Sequence, residues 1–280
     1  MVESIIHGTG QSRKLGLFAG EGELPAKVAQ TAQINGWDLF VYTIDKGTLN
    51  RLKAYVNPSK LRLIRPGLFE KNLRIMHQDG IKHGVFAGKI NKWSLLRSPM
   101  VDSRALKMWQ EVRKYNDDAL MQALSAEFEK DGITIERQTD FLQDYFIQPG
   151  VYSQRVLSES EQQDVQYGFS MAKEMGRLDI GQTVIICNQM IIAVEAIEGT
   201  DQAILRSKRW IGKKGGTVVK VEKPDQDRRF DVPTVGPRTL RTMKKAGLNV
   251  LAVEAGKTFV LELDQMVKLA NTWKMTLIAV

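Results

Sequence analysis

The stretch LGLFAGEGELPAKVAQTAQINGWDLFVYTI, Leu15 to Ile44, reads as an apolar run, a glycine-rich turn, a helix and a second apolar run. Pro25 falls in the first turn of the helix, where a missing N–H is no loss, and Gly36 stands where a helix end favours glycine. This is the pattern of a βαβ unit with parallel strands. The rhythm continues. LRLI at 61–64 precedes a helical segment from Leu68 to Gln78, HGVFAG at 83–88 reads as a buried strand, and DDALMQALSAEFEKDG is a helix closed by Gly132 ahead of the strand ITIER. An α/β fold with a Rossmann-like, doubly wound domain is therefore expected over residues 13–145, behind a flexible tail of residues 1–12.

Beyond YFIQPGVYSQRVLSESEQQD the composition shifts to proline, glycine and serine, which places a linker at 146–159. A second, mixed α/β domain is expected over 160–280. It opens with a helix from about Ser160 to Met175, followed by the hairpin QTVIICNQMIIAVEAIEG turning at Asn188 and Gln189. The strand GTVVKVEK, a helix from Pro237 to Ala246, a further hairpin turning at EAGK, a helix to Trp273 and a last strand MTLIAV complete it.

With 280 residues, 43% of them hydrophobic, the chain can bury a sizeable core. Its one cysteine, Cys187, excludes a disulfide framework and any cysteine-rich zinc site, and fits a reducing compartment. The N-terminus lacks the apolar core of a signal peptide and no segment has the length of a membrane span, so a cytoplasmic location is expected. A net charge of +8 favours anionic partners: nucleic acid, phosphorylated metabolites or an acidic membrane surface. An RNA groove would offer more stacking aromatics than the basic patch SKRWIGKKGG at 207–216, so nucleic acid is the minority reading.

Four places carry candidate chemistry. GEGELP, with Gly20 and Gly22, sits between strand and helix, where backbone N–H groups hold phosphate; a tight βα turn is an equal alternative, and Glu21 and Glu23 oppose an anion. GRLDIGQ puts Asp179 in a turn before a strand, with Gln182 close behind. AVEAIEGTD places Glu195 and Glu198 at the end of the partner strand, where Asp179 and Glu198 could meet. There Thr200 reads as an ordinary N-cap, and Asp201 complements the helix dipole. KVEKPDQDRRFDVPTVGPRTL reads as strand, tight loop and helix N-terminus: RFDV is strand-like, with Asp231 on the face opposite Phe230 and Val232, and Lys220, Lys223 and Arg228 stand near. A turn-forming aspartate would give much the same string. The three histidines, His7, His77 and His83, read as solvent-facing, so a hydrolase here needs carboxylates and a hard cation such as Mg²⁺ rather than imidazole.

Taken in order, RKLGLFAGEGELP, VFAGK, DDALMQALSAEFEKDG, GRLDIGQ, AVEAIEGTD, KVEKPDQDRRFDVPTVGPRTL, AGLNVLAVEAGKT and the terminal LIAV resemble the LpxI-type UDP-2,3-diacylglucosamine pyrophosphatases from Arg13 to Val280. The resemblance implies a Mg²⁺-dependent hydrolase of lipid A biosynthesis. It would convert UDP-2,3-diacylglucosamine to 2,3-diacylglucosamine 1-phosphate (lipid X) and UMP, with the substrate held between the two domains. The aspartate of the family's D-[LV]-P-T-[IV]-G segment falls on Asp231. On the same basis Gly20, Gly22, Lys89, Asp179, Gln182, Gly199, Thr200, Lys223 and Thr234 are expected to contact substrate, and Asp231, Glu198 and Asp201 to ligand Mg²⁺. An aspartate near pKa ~3.9 is a weak base at neutral pH, which favours the metal role for Asp231 over proton abstraction. Two departures stand out: Glu21 where a further glycine is common, and Tyr115–Asn116 where glycine is frequent. The substrate implies peripheral contact with the cytoplasmic face of the inner membrane, with Trp93, Leu95, Leu96 and the Trp210 patch toward lipid. A homo-oligomer stays compatible. The rival readings are a dinucleotide-dependent oxidoreductase and a non-catalytic nucleotide-sugar or lipid-binding protein.

Overall fold

Five strands, β1 (Lys14–Ala19), β2 (Asp38–Thr43), β3 (Leu61–Leu63), β4 (His83–Ala87) and β5 (Thr134–Glu136), pair in parallel in the order β3-β2-β1-β4-β5. The computed structural model describes residues 13–89, 100–111, 117–212, 215–224 and 226–280. The strand order reverses between β1 and β4, the doubly wound arrangement that the opening stretch predicts. Around the sheet lie α1 (Leu24–Ile34), α2 (Lys46–Leu52), α3 (Phe69–Asp79), α4 (Ser103–Glu111) and α5 (Asp117–Lys130). Phe18, Phe40, Tyr42 and Phe86 from alternate strand positions join Phe69 and Phe128 in one aromatic core, with Phe18 stacked on Phe128 at 4.6 Å. Burial and the bond to Asp79 push the Tyr42 phenol far up, so it stays protonated.

A second unit has a six-stranded sheet. Its strands are β6 (Gly150–Val151), β7 (Thr183–Cys187), β8 (Met190–Val194), β9 (Thr217–Lys220), β11 (Val250–Val253) and β13 (Thr276–Ala279), in the order β6-β13-β11-β9-β7-β8. β9, β11 and β13 run parallel, whereas β7 is antiparallel to β8 and β9. The carboxyl ends of β8, β9, β11 and β13 therefore share one edge with the start of β7. Helix α6 (Glu159–Arg177) covers one face through Val165 and Ala172, against Val184, Ile186, Val219 and Val221. Helices α7 (Thr200–Ser207), α8 (Pro237–Ala246) and α9 (Leu263–Thr272) cover the other, against Ile185, Val218, Leu251 and Val253. The β7–β8 hairpin turns on Asn188 and Gln189, both at positive φ (50° and 57°), and the buried Asp164 carboxylate accepts both of their amide hydrogens at 3.1 and 2.6 Å.

The first unit comprises the described residues up to Leu142 together with Arg228–Phe230, and the second holds Gln143–Asp227 and Asp231–Val280. Three expectations are corrected. The segment expected as a linker at 146–159 is built into the second unit: Ile147 pairs with Thr258, and β6 is an edge strand on β13. The hairpin expected at EAGK does not form. Val250–Val253, apolar on both faces, is a central parallel strand, while β12 (Phe259–Val260) pairs in parallel with β10 (Thr234–Val235) in a separate small sheet. RFDV is not a strand either. Phe230 joins the aromatic core of the first unit, edge-on to Phe86, and the Asp231 amide donates to Asp227 at 3.0 Å, which closes a turn over Arg228–Phe230.

Candidate active site

In the first unit the glycine-rich turn is closed by its own backbone. The Gly20 amide donates to Ala87 at 2.8 Å, while Glu21 and Lys89 exchange bonds at 2.8 and 2.9 Å in an isolated antiparallel bridge. A Cβ on Gly20 would lie 2.5 Å from the Lys89 carbonyl oxygen, so the glycine is required by the close approach of the two segments. The phosphate-cradling reading of Gly20 is corrected accordingly, because the first N–H groups of the turn are already bonded. Gly22 is exposed at φ 99°, and the Lys89 side chain is exposed beside it in the chain pairing. Asp45 caps α2 through the Thr48 amide at 2.6 Å, and that bond holds its carboxyl below the usual range. His83 is not solvent-facing as expected: its Nδ1 meets Glu136 at 2.7 Å and its ring abuts Trp37. The apolar cavity of this unit, lined by Phe18, Tyr42, Phe69, Phe86 and Phe128, converges no charged groups. The expected lipid contacts Trp93, Leu95 and Leu96, the Tyr115–Asn116 departure and His7 lie outside the described residues. Trp210 is exposed, with Arg209 over its ring at 4.9 Å.

In the second unit the predicted residues gather at the carboxyl edge of the sheet, where open α/β sheets bind ligands. Asp179 takes the left-handed conformation at φ 55°, and its carboxylate accepts from Lys223 Nζ at 2.8 Å. The Lys223 amide donates to Gln226 Oε1 at 2.9 Å, and Gln226 Nε2 donates to Asp231 Oδ2. One polar chain thus runs from Asp179 through Lys223 and Gln226 to Asp231. Thr234 opens β10, with its hydroxyl on the Val232 carbonyl at 3.0 Å.

A second group lies at the same edge. The α7 N-cap is Gly199 at φ 80°, not Thr200, and no side chain caps it. Thr200 is the first helical residue; its hydroxyl donates to Glu195 Oε1 at 2.8 Å and accepts from Lys220 Nζ at 2.8 Å. The capping role expected for Thr200 is therefore replaced by a side-chain relay. Gln182 accepts the Val221 amide through its carbonyl at 3.0 Å. Gly181 is required here too, since a Cβ would sit 2.1 Å from the Glu195 carbonyl oxygen.

Asp179 and Glu198, expected to meet, are held by different cations, Asp179 by Lys223. Glu198 is held by Arg206 at 2.6 Å, whose hydrogen bond keeps its carboxyl below the usual range, and Asp201 is held by Arg238 at 2.7 Å. With Asp231 bonded to Gln226, the three expected magnesium ligands face three different partners. Among the described residues no three His, Cys, Asp or Glu side chains stand close enough to hold a metal ion. Asp231, Glu198 and Asp201 therefore do not form a three-carboxylate Mg²⁺ site. From the sequence Glu195 stands only beside Glu198 at a strand end and Lys220 only among the bases near Asp231; their link through Thr200 depends on the fold.

The model of the LpxI N-terminal domain matches residues 14–145, and that of the LpxI C-terminal domain matches residues 148–278. A curated protein of Caulobacter vibrioides, named UDP-2,3-diacylglucosamine pyrophosphatase LpxI, is 30% identical over 275 residues, covering 92% of this chain and 94% of the relative. Two family domains in the right order, a full-length relative, a doubly wound first unit and a mixed second sheet lead to one statement: the chain belongs to the LpxI family.

Proposed function

We propose that this chain hydrolyses the phosphoric anhydride of UDP-2,3-diacylglucosamine, giving 2,3-diacylglucosamine 1-phosphate and UMP in lipid A biosynthesis. The name of the Caulobacter relative supplies the substrate. The arrangement at Asp231 carries the reading of chemistry: an aspartate held by a glutamine whose other end is tied to the backbone of Lys223, in turn paired with Asp179. A carboxylate oriented by a neutral amide is placed to take a water proton, and a lysine one link away offsets negative charge on phosphate. Water oxygen attacks one phosphorus, the bridging P–O bond breaks, and its electrons leave on the second phosphate.

In this reading Asp231 orients and deprotonates the water, and Lys223 with the α7 N-terminus faces the diphosphate. Among the described residues no helix is long and apolar enough to cross a membrane. The proposal accordingly has the enzyme meet its diacylated substrate at the cytoplasmic membrane surface by peripheral contact, with exposed Trp210 on the lipid side. The test is release of UMP from UDP-2,3-diacylglucosamine in mixed micelles, with and without Mg²⁺, against UDP-GlcNAc as control. UMP formed from the diacylated substrate supports the reading; none with or without the metal overturns it.

A further inference from the structure

The two large sheets present four outer edges, and three of them are short. β3 and β5 have three residues each and carry Arg62 and Glu136, while β6 has two residues. The fourth, β8, is different. Met190–Val194 is five residues long, with no charge and no proline, and Met190 and Ile191 are 60% and 42% exposed. An uncharged apolar edge strand is a template for further pairing, which proteins otherwise blunt with charge, proline or brevity.

The hydrogen-bonding phase of that edge follows from its turn. Asn188 and Gln189 form a two-residue turn, so Cys187 and Met190 face each other as a bonded pair, and Ile191 directs its N–H and C=O away from β7. Ile192 has no opposite residue in β7, a bulge, and Ala193 pairs with Ile185. Val194 then points outward again: its carbonyl accepts from Arg206 Nη2 at 2.8 Å, whereas the Glu195 amide points inward to Thr183. The outer row of β8 is therefore Ile191 and Val194, whose side chains share the α6 face with Ile186 and Val184 opposite them. On that face α6 packs over β7 and β9 rather than over β8, and its Tyr167 and Met171 are only partly buried.

We propose that a second copy of this chain pairs with β8, antiparallel, about a twofold axis at the Ile192 bulge. Ile191 of each copy exchanges both backbone bonds with Val194 of the other, and one sheet runs through two second units. Three arguments select this occupant. Lipid cannot satisfy an open row of N–H and C=O groups, so a bilayer is not what covers the edge. A bulged and twisted edge is matched by a strand with the same irregularity at the same place, which a symmetry mate supplies. The third argument is charge. α7, the helix over β8 and β7, has Glu198 and Asp201 at its start and Arg206, Lys208 and Arg209 at its end. A twofold axis midway along β8 lays α7 antiparallel to its mate, so the acidic start of each faces the basic end of the other. The Val194 carbonyl has a second lone pair for the incoming amide while Arg206 stays bound. A strand pair of this length is small against the roughly 800 Å² per partner that a stable interface buries, so α7 and the apolar α6 shelf contribute as well.

The test is sedimentation velocity of the full chain over a range of micromolar concentrations, with hydrogen exchange read at single amides. The wild type is expected to sediment at twice the mass of one chain, and the Ile191 and Val194 amides to exchange slowly when concentrated and fast when diluted. Ile191→Lys should weaken association about 10-fold or more at an unchanged melting temperature, because it puts charge on the edge. Ile191→Pro removes an outward donor that β7 does not use, and gives the same comparison if the lysine variant does not fold. Arg209→Glu should weaken association by less, and high salt should weaken the wild-type pair. A wild type that stays monomeric, or a folded Ile191→Lys that pairs as tightly as wild type, overturns the proposal. So does a dimer whose Ile191 and Val194 amides exchange fast, or protection of those amides only when lipid vesicles are added.

Discussion

At the carboxyl edge of the first sheet, Gly20, Glu21 and Lys89 bond to one another's backbone, and Thr48 closes on the Gly20 carbonyl at 3.2 Å. At the carboxyl edge of the second, Glu195, Thr183 and Gln182 keep buried polar atoms with no hydrogen-bond partner among the described residues, in the same region as a buried lysine. Both edges follow parallel strands, and the glycine-rich one looks more like a phosphate site in sequence. Hydrogen-bond accounting reverses that ranking. An edge whose first donors are already used stabilises the fold, whereas an edge that keeps buried polar capacity open is less stable than it could be and is positioned for a ligand.

The largest effect expected from this contrast is on turnover. Asp231→Asn removes the proton acceptor and leaves an isosteric amide, so UMP release should fall about 1,000-fold with an unchanged melting temperature. Turnover within 10-fold of wild type would move the chemistry away from the second edge. Next comes Gly20→Ala. The added Cβ meets backbone at 2.5 Å, a contact that no side-chain rotation relieves, and about 3 kcal/mol of stability should be lost in urea denaturation. If the variant instead kept its stability and lost phosphate binding, the first edge would be the ligand site and the comparison would invert.

Much of the frame was legible because it is local. The unbroken buried run Leu15–Ala19, the helix with Pro25 at its start and the two-residue turn at Asn188–Gln189 are written in neighbouring residues. What was not legible depends on partners far along the chain. Val250–Val253 reads equally as one arm of a hairpin or as a central strand until β9 and β13 flank it. Phe230 alternates with Asp231 as a strand residue would, but an aromatic core more than a hundred residues earlier takes its ring. The candidate metal set failed for the same reason, since Arg206 and Arg238 decide where Glu198 and Asp201 go. Lys220 reads in the sequence as one of three bases near Asp231; only the strand register shows that it faces Thr183.

The second unit also contains a closed region, which gives an internal control. Burial alone would push the Glu254 carboxyl up, but bonds from Lys173, the Glu222 amide and Lys257 outweigh it and hold the group below the ordinary glutamate range. A depressed folded-state value means that the unfolded chain takes up a proton first as pH falls. The stability this carboxylate contributes is therefore complete above about pH 4.3 and is lost on acidification through the lowered folded-state value. Glu254→Gln should cost about 2 kcal/mol at pH 7, because it leaves the half-buried Lys173 with a weaker partner. Thermal melts from pH 7 to pH 3 should show the gap between variant and wild type narrowing. A constant gap would mean that Lys173 and Glu254 are not held as an ion pair, and the contrast with the open edge would lose its reference.

Gly22→Ala should have the smallest effect, and it separates two reasons for a glycine in the same turn. Nothing lies within 4 Å of a Cβ built on Gly22, so the substitution has no steric cost of the kind expected at Gly20; the backbone at φ 99° supplies the only strain. Positive φ for a residue with a Cβ costs about 1 kcal/mol, partly offset by the lower entropy of the unfolded alanine chain. A loss near 1 kcal/mol in urea denaturation, with UMP release unchanged, is the outcome of a turn that only connects β1 to α1. If Gly22→Ala instead reduced UMP release more than stability, the exposed half of the turn would be touching substrate while its buried half holds the sheet. The contrast between the two edges would then have to be drawn inside one turn, at the boundary between Glu21 and Gly22.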